Sequence, residues 1–519
     1  MSRALLQSTG IVSLMTLLSR VLGFVRDVLF ATAFGAGAGM DAFLVALKIP
    51  NFGRRLFAEG AFSQAFVPVF TEVRTQQGRL AARELLAVVS GTLAGVLAVL
   101  TLIGCLAAPA LLWLFAPGFA DEPDKQQLGA ELLRWTFPYL MFISLVSLAG
   151  GVLNSYGRFA VPAATPVILN LCLISTAFID AGSVRLLAYA VFLAGVLQLL
   201  AQLPALAQLG LLVRPRWAWR DSRVRRIVQL MVPILFGSSV AQISLLLDTV
   251  LASFLVTGSV SWLYYADRLM EFPLGIFTLA VATVILPVLS AQHADADPAA
   301  FRRTLDWGLR LLLLIGLPAA LALLLLAKPL VITLFQYRAF GVNDVEMTAW
   351  ALMAYAFGFL GFSLVKVLVP GYYARQETRR PVRFGILSLL VGMGLSLVLV
   401  GLCLWQRFPA PHAALALATS CSALLNAGLL YRGLRREGIY QPQPGWRRYV
   451  LQLMGANLVM VGVLLIMAGP AEQWLAASAT ERAADMGRLV LLAIGSYGLA
   501  LLALGLRPRE FLRRPGATP

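Results

Sequence analysis

Long apolar runs separated by short arginine-bearing gaps make up most of the chain, and none of them alternates with a period of two. Such runs read as membrane-crossing α-helices, because a helix satisfies its own peptide groups in hydrocarbon. Fourteen spans are predicted, at 8–34, 39–72, 84–116, 129–153, 160–180, 184–208, 226–256, 259–290, 303–327, 345–369, 381–404, 411–434, 447–469 and 484–506. The runs at 84–116, 303–327 and 484–506 are the best marked. Charges interrupt the first two spans and the pair covering 226–290.

The gaps fix an orientation. Alternate loops, counted from the N-terminus, hold Arg3; Arg74, Arg79 and Arg83; Arg158; six arginines from Arg214 to Arg226; Arg302 and Arg303; four from Arg375 to Arg383; five from Arg432 to Arg448; and Arg507, Arg509, Arg513 and Arg514. The other loops hold only Lys125, Arg185, Lys328, Arg338, Arg407, Arg482 and Arg488, with the acidic stretch GFADEPDKQQ. Basic residues stay on the cytoplasmic side of a membrane, so both termini are expected in the cytoplasm.

Composition agrees. Of 519 residues, 59% are hydrophobic and 13% charged, where a soluble domain carries about 25% charged residues. The same orientation effect accounts for the net charge of +17 without a nucleic-acid partner. MSRALLQSTGIVSLMTLLSRVLGFVRD has arginines inside its apolar region and no small-residue cleavage site, so it does not read as a cleaved leader. Cys105, Cys172, Cys403 and Cys421 lie singly in apolar runs, which indicates small buried hydrophobes and no metal site or disulfide framework.

The chain repeats itself faintly. RDVLFATAFGAG from Arg26 resembles LDTVLASFLVTG from Leu247, placing Asp27 over Asp248; AFSQAFVPVFTE resembles AVATVILPVLSA, placing Pro68 over Pro287. The expected architecture is therefore all-α and polytopic. It has a six-span lobe at 1–215, a second at 216–440, and a helix pair with a basic tail at 441–519. Duplicated halves of this kind are common in secondary transporters.

Charges inside the spans mark the candidate site. The first two spans carry Arg20, Arg26, Asp27, Asp41, Lys48, Arg54, Arg55 and Glu59; the corresponding seventh and eighth carry Asp248, Asp267, Arg268 and Glu271. A charge in hydrocarbon costs at least about 2.5–3.5 kcal/mol, so these groups should face a partner or a wet cavity. Asp41, Lys48 and Arg55 recur every seven residues and Glu59 follows four later, giving one shared helical face, bent at Pro50 and Gly53. Arg268 and Glu271 are spaced to pair. An excess of arginine suits an anionic substrate, since the guanidinium fork binds phosphate bidentately. The only histidines, His293 and His412, lie near span ends and read as solvated. No nucleotide-binding loop, HExxH or nucleophile motif with a partner appears, which argues against an enzyme and against ATP-driven transport.

SRVLGFVRDVLFATAFGAGAGMDAFLVALKIPNFGRRLFAEGAFSQAFVPVF, with SWLYYADRLMEFPLGIF, VPGYYARQETRRPV and QPQPGW, resembles the MurJ (MviN) lipid II flippase family of the multidrug/oligosaccharidyl-lipid/polysaccharide exporter superfamily. The resemblance spans essentially the whole chain. It implies two six-helix lobes plus two C-terminal helices in the bacterial inner membrane. It also implies transport of lipid II (undecaprenyl-pyrophosphoryl-MurNAc-pentapeptide-GlcNAc) to the periplasmic leaflet by alternating access, for peptidoglycan synthesis. The family's cavity arginines match Arg20, Arg26, Arg54, Arg55 and Arg268, its acidic cavity positions Asp41 and Glu59, with Asn51 in the same motif. The last two helices inherit a groove for the lipid tail. Some members hold sodium with a span-seven carboxylate. Here Asp248 occupies that span but span eleven offers only Ser388 and Ser396, so Asp248 is expected either at a monovalent cation site (sodium or proton) or paired with Lys366. No other cofactor is implied. The expected partners are lipid II, membrane lipids and other peptidoglycan-synthesis proteins, around a monomer. The competing readings are a flippase for another undecaprenyl-linked glycan and a membrane enzyme acting on a polyprenyl pyrophosphate.

The topology is testable by labelling. With the four native cysteines replaced by alanine, Asp121→Cys should react with an impermeant maleimide on spheroplasts and Arg220→Cys only after lysis. Labelling of Arg220→Cys in sealed spheroplasts would overturn the orientation.

Overall fold

Glycine, proline and charged loops end the apolar runs as helices. The computed structural model describes residues 3–55 and 61–506, of which 3–9, 236–245 and 276–284 are described as backbone only. Glu59 and the tail arginines Arg507, Arg509, Arg513 and Arg514 lie outside the described residues. The chain runs α1 Arg3–Phe34, α2 Ala38–Gly53, α3 Ser63–Gln76, α4 Gly78–Leu106 and α5 Ala108–Phe115. A 3-10 turn, Pro117–Asp121, leads to α6 Pro123–Thr136, α7 Tyr139–Ser155, α8 Ala160–Ile179, α9 Val184–Gln208, α10 Ser222–Ser253 and α11 Ser259–Ala294. Then follow α12 Pro298–Leu325, α13 Ala327–Phe335, α14 Val342–Tyr373, α15 Arg379–Trp405, α16 His412–Arg436, α17 Trp446–Met467, α18 Ala471–Ala476 and α19 Ala479–Ala503.

Ten helical segments among the described residues are long and apolar enough to cross a membrane, and each coincides with a predicted span. The other four predicted spans are those carrying the intramembrane charges; they contain α1, α2 with α3, α10 and α11. Two spans are divided. The third breaks at Ala107, and the fourth at Phe137 and Pro138, where proline removes a helical N–H donor. Helices α13 and α18 were not foreseen, being too short to read as spans.

The helices gather into two units, Met1–Ser261 and Trp262–Pro519. In the first, Phe62, Phe66 and Phe70 pack with Leu85 and Val89 of α4, Leu148 and Val152 of α7, and Val224 and Ile227 of α10. Thus α10 groups with the first unit, whereas the sequence division at 215 assigns it to the second half. Helices α1 and α10 each run 32 residues, matching the repeat that aligned their ends.

In the second unit, α14 lies against α16 through glycine. A side chain on Gly361 would meet the Leu424 nitrogen at 2.6 Å, and Gly358 abuts Ser420. Small residues of this kind let membrane helices approach backbone to backbone. The linker before α17 is fastened to α12 by Asp306, a nearly inaccessible carboxylate. It accepts from the Tyr440 hydroxyl at 2.8 Å, the Gln443 amide at 3.2 Å and the Trp446 indole at 2.6 Å, and pairs with Arg310 at 2.7 Å. The QPQPGW signature is therefore a docking segment. At the other end of the final hairpin, buried Arg482 donates to the carbonyls of Trp474 (2.8 Å), Leu475 (2.9 Å) and Gln336 (3.1 Å).

Two readings of single residues are corrected. His412 is fully buried: its ring packs against Trp262 at 5.0 Å and Nε2 lies 2.9 Å from the Met347 carbonyl, while His293 is exposed as expected. The four cysteines are free but only partly buried, because their helices turn apolar faces outward as lipid-facing helices do.

Gly361→Leu should cost about 1–3 kcal/mol through overpacking, since the obstruction is backbone and cannot rotate away. The loss should appear as a lower denaturant midpoint in detergent, with Gly385→Leu, which meets open space, as the near-neutral control.

Candidate functional site

The first-unit residues sit on α1 and α2. Midway along α1, Arg20 is exposed and makes no hydrogen bond or ion pair among the described residues. Nearly two turns on, Arg26 directs Nε (3.0 Å) and Nη2 (2.7 Å) to the same oxygen of its buried neighbour Asp27. Its Nη1 donates to the Asn170 side chain of α8 at 3.0 Å. Asn170 in turn donates to the Ser19 carbonyl at 2.9 Å, holding α8 against α1. Gly23 permits that approach, its missing side chain lying 3.7 Å from Asn170.

Gly35, at φ +65°, turns the chain from α1 into α2. Gly39 and Gly53 are close-contact positions, facing Val184 and Leu140. Proline at Pro50 removes one helical donor. Just beyond, Arg54 and Arg55 adopt the wider π-type winding that recurs at residues 61 and 62. Such windings often mark functional segments. Arg54 is half-buried and donates to Asn51 Oδ1 at 3.1 Å; Arg55 is exposed. The two adjacent arginines thus differ in environment.

Asp41 departs from its expected place on a cavity wall. It is 1% exposed. Its Oδ2 accepts from the Gly258 amide at 2.7 Å and lies 3.3 Å from Lys125 Nζ; its Oδ1 accepts from the Ser261 amide at 2.9 Å and hydroxyl at 2.6 Å. One α2 carboxylate thereby caps the first turn of α11, where free N–H groups and the helix dipole favour an anion. Lys125 also donates to Thr257 at 3.1 Å, lies 4.3 Å over the Phe119 ring, and pairs with Glu122 at 3.4 Å. The Thr257 hydroxyl, donating at 2.7 Å, and Lys125 hold the Glu122 carboxyl below the usual range, so it is ionised at neutral pH. Gly118 completes the knot by donating its amide to Ser253 at 3.1 Å, with no room for a side chain there. The helical stripe of Asp41, Lys48 and Arg55 is consequently split, with Lys48 donating to Thr249 at 3.0 Å. Lys125 reads in sequence only as a loop charge, because Asp41 and Thr257 are remote from it in the chain.

Half-buried Asp248 lies on α10 in the first unit. In the second unit, Lys366 is exposed on α14, and Arg268 on α11 pairs with Glu271 at 2.7 Å, as their spacing suggested. Arg268 also reaches Asp267 at 3.4 Å and the Tyr264 ring at 5.2 Å. No cluster of potential metal ligands occurs among the described residues.

Residues 30–484 match the family described as lipid II flippase MurJ. The chain is 47% identical to a probable lipid II flippase MurJ of Vibrio cholerae, over 98% of each chain. It is 43% identical to the lipid II flippase MurJ of Burkholderia cenocepacia, over 99% of each. Among solved structures, an inward-closed lipid II flippase MurJ superposes with TM-score 0.79 at 24% identity, covering 97% of this chain and 99% of that one. An inward-facing multidrug resistance MATE transporter of the MOP superfamily gives 0.64 at 14% identity, covering 84% and 99%, a likeness of fold.

Removing the Asp41 carboxylate leaves the buried Lys125 ammonium with only the half-exposed Glu122 carboxylate as counter-charge. Asp41→Ala should therefore destabilise by about 3–5 kcal/mol. Asp41→Ala with Lys125→Met should recover a large part of that loss, because no buried charge remains. Unfolding in detergent measures both; additive losses would show that the pair is not coupled.

Proposed function

The chain belongs to the MurJ family of lipid II flippases, and from that premise we infer that it carries lipid II from the cytoplasmic to the periplasmic leaflet of the inner membrane. It is a multi-pass transporter serving peptidoglycan synthesis. The observation that best supports an anion-carrying path is Arg20. An exposed guanidinium midway along an apolar helix, without a protein partner among the described residues, is costly unless a ligand or water receives it.

In this reading Arg20, Arg26, Arg54 and Arg55 present α1 and α2 to the pyrophosphate. Asn51 orients Arg54, and Asp27 with Asn170 orients Arg26. Arg268 is a further ligand on α11. Glu59 is retained as an acidic member of the same set. Asp41 acts differently: its four donors hold the start of α11 in one arrangement, and releasing them is part of the transport cycle.

The membrane potential supplies a driving force of sufficient size. One charge crossing 100 mV is worth about 2.3 kcal/mol, so a pyrophosphate with roughly two charges gains about 4–5 kcal/mol on moving outward. Return of an arginine-rich empty carrier runs with less help, and we assign Asp248 to a monovalent cation, sodium or proton, that accompanies it.

Arg20→Ala should lower lipid II exposure at the periplasmic face about tenfold or more, the equivalent of one charged hydrogen bond. Arg20→Lys should recover part of it, since lysine keeps the charge but not the fork. Depletion complementation with a leaflet-accessibility assay reads both. Normal flipping in Arg20→Ala, Arg54→Ala, Arg55→Ala and Arg268→Ala alike would sink the anion-path reading.

A further inference from the structure

We propose that the strap between α9 and α10, VRPRWAWRD at 213–221, binds the disaccharide-pentapeptide head of the transported lipid on the side that the loop arginines assign to the cytoplasm. The inference rests on the lipid II reading above. Residues 211–218 are neither helix nor strand. They are nevertheless pinned along α4: the Arg216 amide donates to the Ala87 carbonyl at 2.8 Å, and the Ala218 amide to Thr92 Oγ1 at 3.1 Å. Gly91 and Gly95 make the room, because the Arg216 backbone and the Trp217 ring fill the space a side chain there would need. Trp217 rests on α4 and is still 61% exposed; Trp219 is 48% exposed. Around the rings, the guanidiniums of Arg214, Arg216 and Arg220 are exposed and form no ion pair or hydrogen bond among the described residues. Arg223 and Arg226, just beyond, are taken by Asp221, Glu84 and Glu72.

The chemistry selects the ligand. An open indole face is apolar and electron-rich, so it receives a cation or the C–H face of a sugar ring. Three unpaired guanidiniums repel the cation, which leaves the sugar. The same guanidiniums match carboxylates with their planar forks, and the stem peptide carries them. The pyrophosphate is assigned to α1 and α2, so the strap takes the remainder of the head. Exposed tryptophan also occurs where a membrane surface meets lipid. Here the amides of Trp217, Trp219 and Arg220 have no acceptor among the described residues, and open peptide groups belong in water and not in hydrocarbon. Arginines on this side set orientation as well, but orientation needs neither a pinned backbone nor paired indoles.

The test is native mass spectrometry of the purified full-length protein titrated with lipid II or with undecaprenyl pyrophosphate, which lacks the sugars and the peptide. The double variant Trp217→Ala/Trp219→Ala should weaken lipid II binding about tenfold and leave undecaprenyl pyrophosphate within about twofold. The triple variant Arg214→Gln/Arg216→Gln/Arg220→Gln should show the same split, and the corresponding triple Lys variant, which keeps charge and orientation, should fall between it and the unmodified protein. Unchanged lipid II affinity in the Trp and Gln variants overturns this proposal alone. Equal loss of both ligands also overturns it, since a strap that only anchors the protein at the membrane cannot tell a head from its absence. No retention of lipid II by the unmodified protein overturns the transport reading, and the proposal with it. Variants are compared where gel filtration and unfolding midpoint match the unmodified protein. If emptying the space over Gly95 lowers that midpoint, Trp219→Ala and the arginine variants decide.

Discussion

Hydrocarbon offers no partner to a charge or to an open peptide group, and the placement of polar residues here follows from that constraint. The Asp41 carboxylate meets it most fully: two backbone amides, one hydroxyl and one ammonium converge on two oxygens. That convergence joins residues far apart in the chain, from α2 to the turn before α6 and the start of α11. Asp306 repeats the solution in the second unit, where one carboxylate gathers a phenol, an indole, an amide and a guanidinium. Around such points the helices need only apolar packing and small-residue contacts to hold their places.

Against that background the arginines separate into two populations. Arg26, Arg268 and Arg310 have carboxylates within reach, and Arg482 has carbonyls. Arg20 has neither among the described residues, though it lies along a span. The first population sustains the fold. A guanidinium such as Arg20 is where an anion from outside the chain has something to gain.

Much of this was legible from the amino-acid order because apolar length is a local property. The fourteen runs located helices α1 to α19 apart from the short α13 and α18. Arg268 with Glu271 was legible for the same reason, being three residues apart. Lys125, His412, Asn170 and Asp306 were not. The partners that fix their places lie 65 to 151 residues away in the chain, and periodicity carries no information at that range. Asp41 was found but misplaced, since spacing on one helix cannot tell a wet face from one covered by another helix. QPQPGW was recognised as a signature, while its task of docking a linker on Asp306 required the third dimension.

Arg482 binds three carbonyl oxygens and no acid. Carboxylate pairs loosen when acid protonates them, but an amide carbonyl does not titrate over any biological range. The joint that anchors α18 and α19 beside the end of α13 is therefore indifferent to acidity. That gives the last helix pair a fixed hinge pin while the pH around it changes.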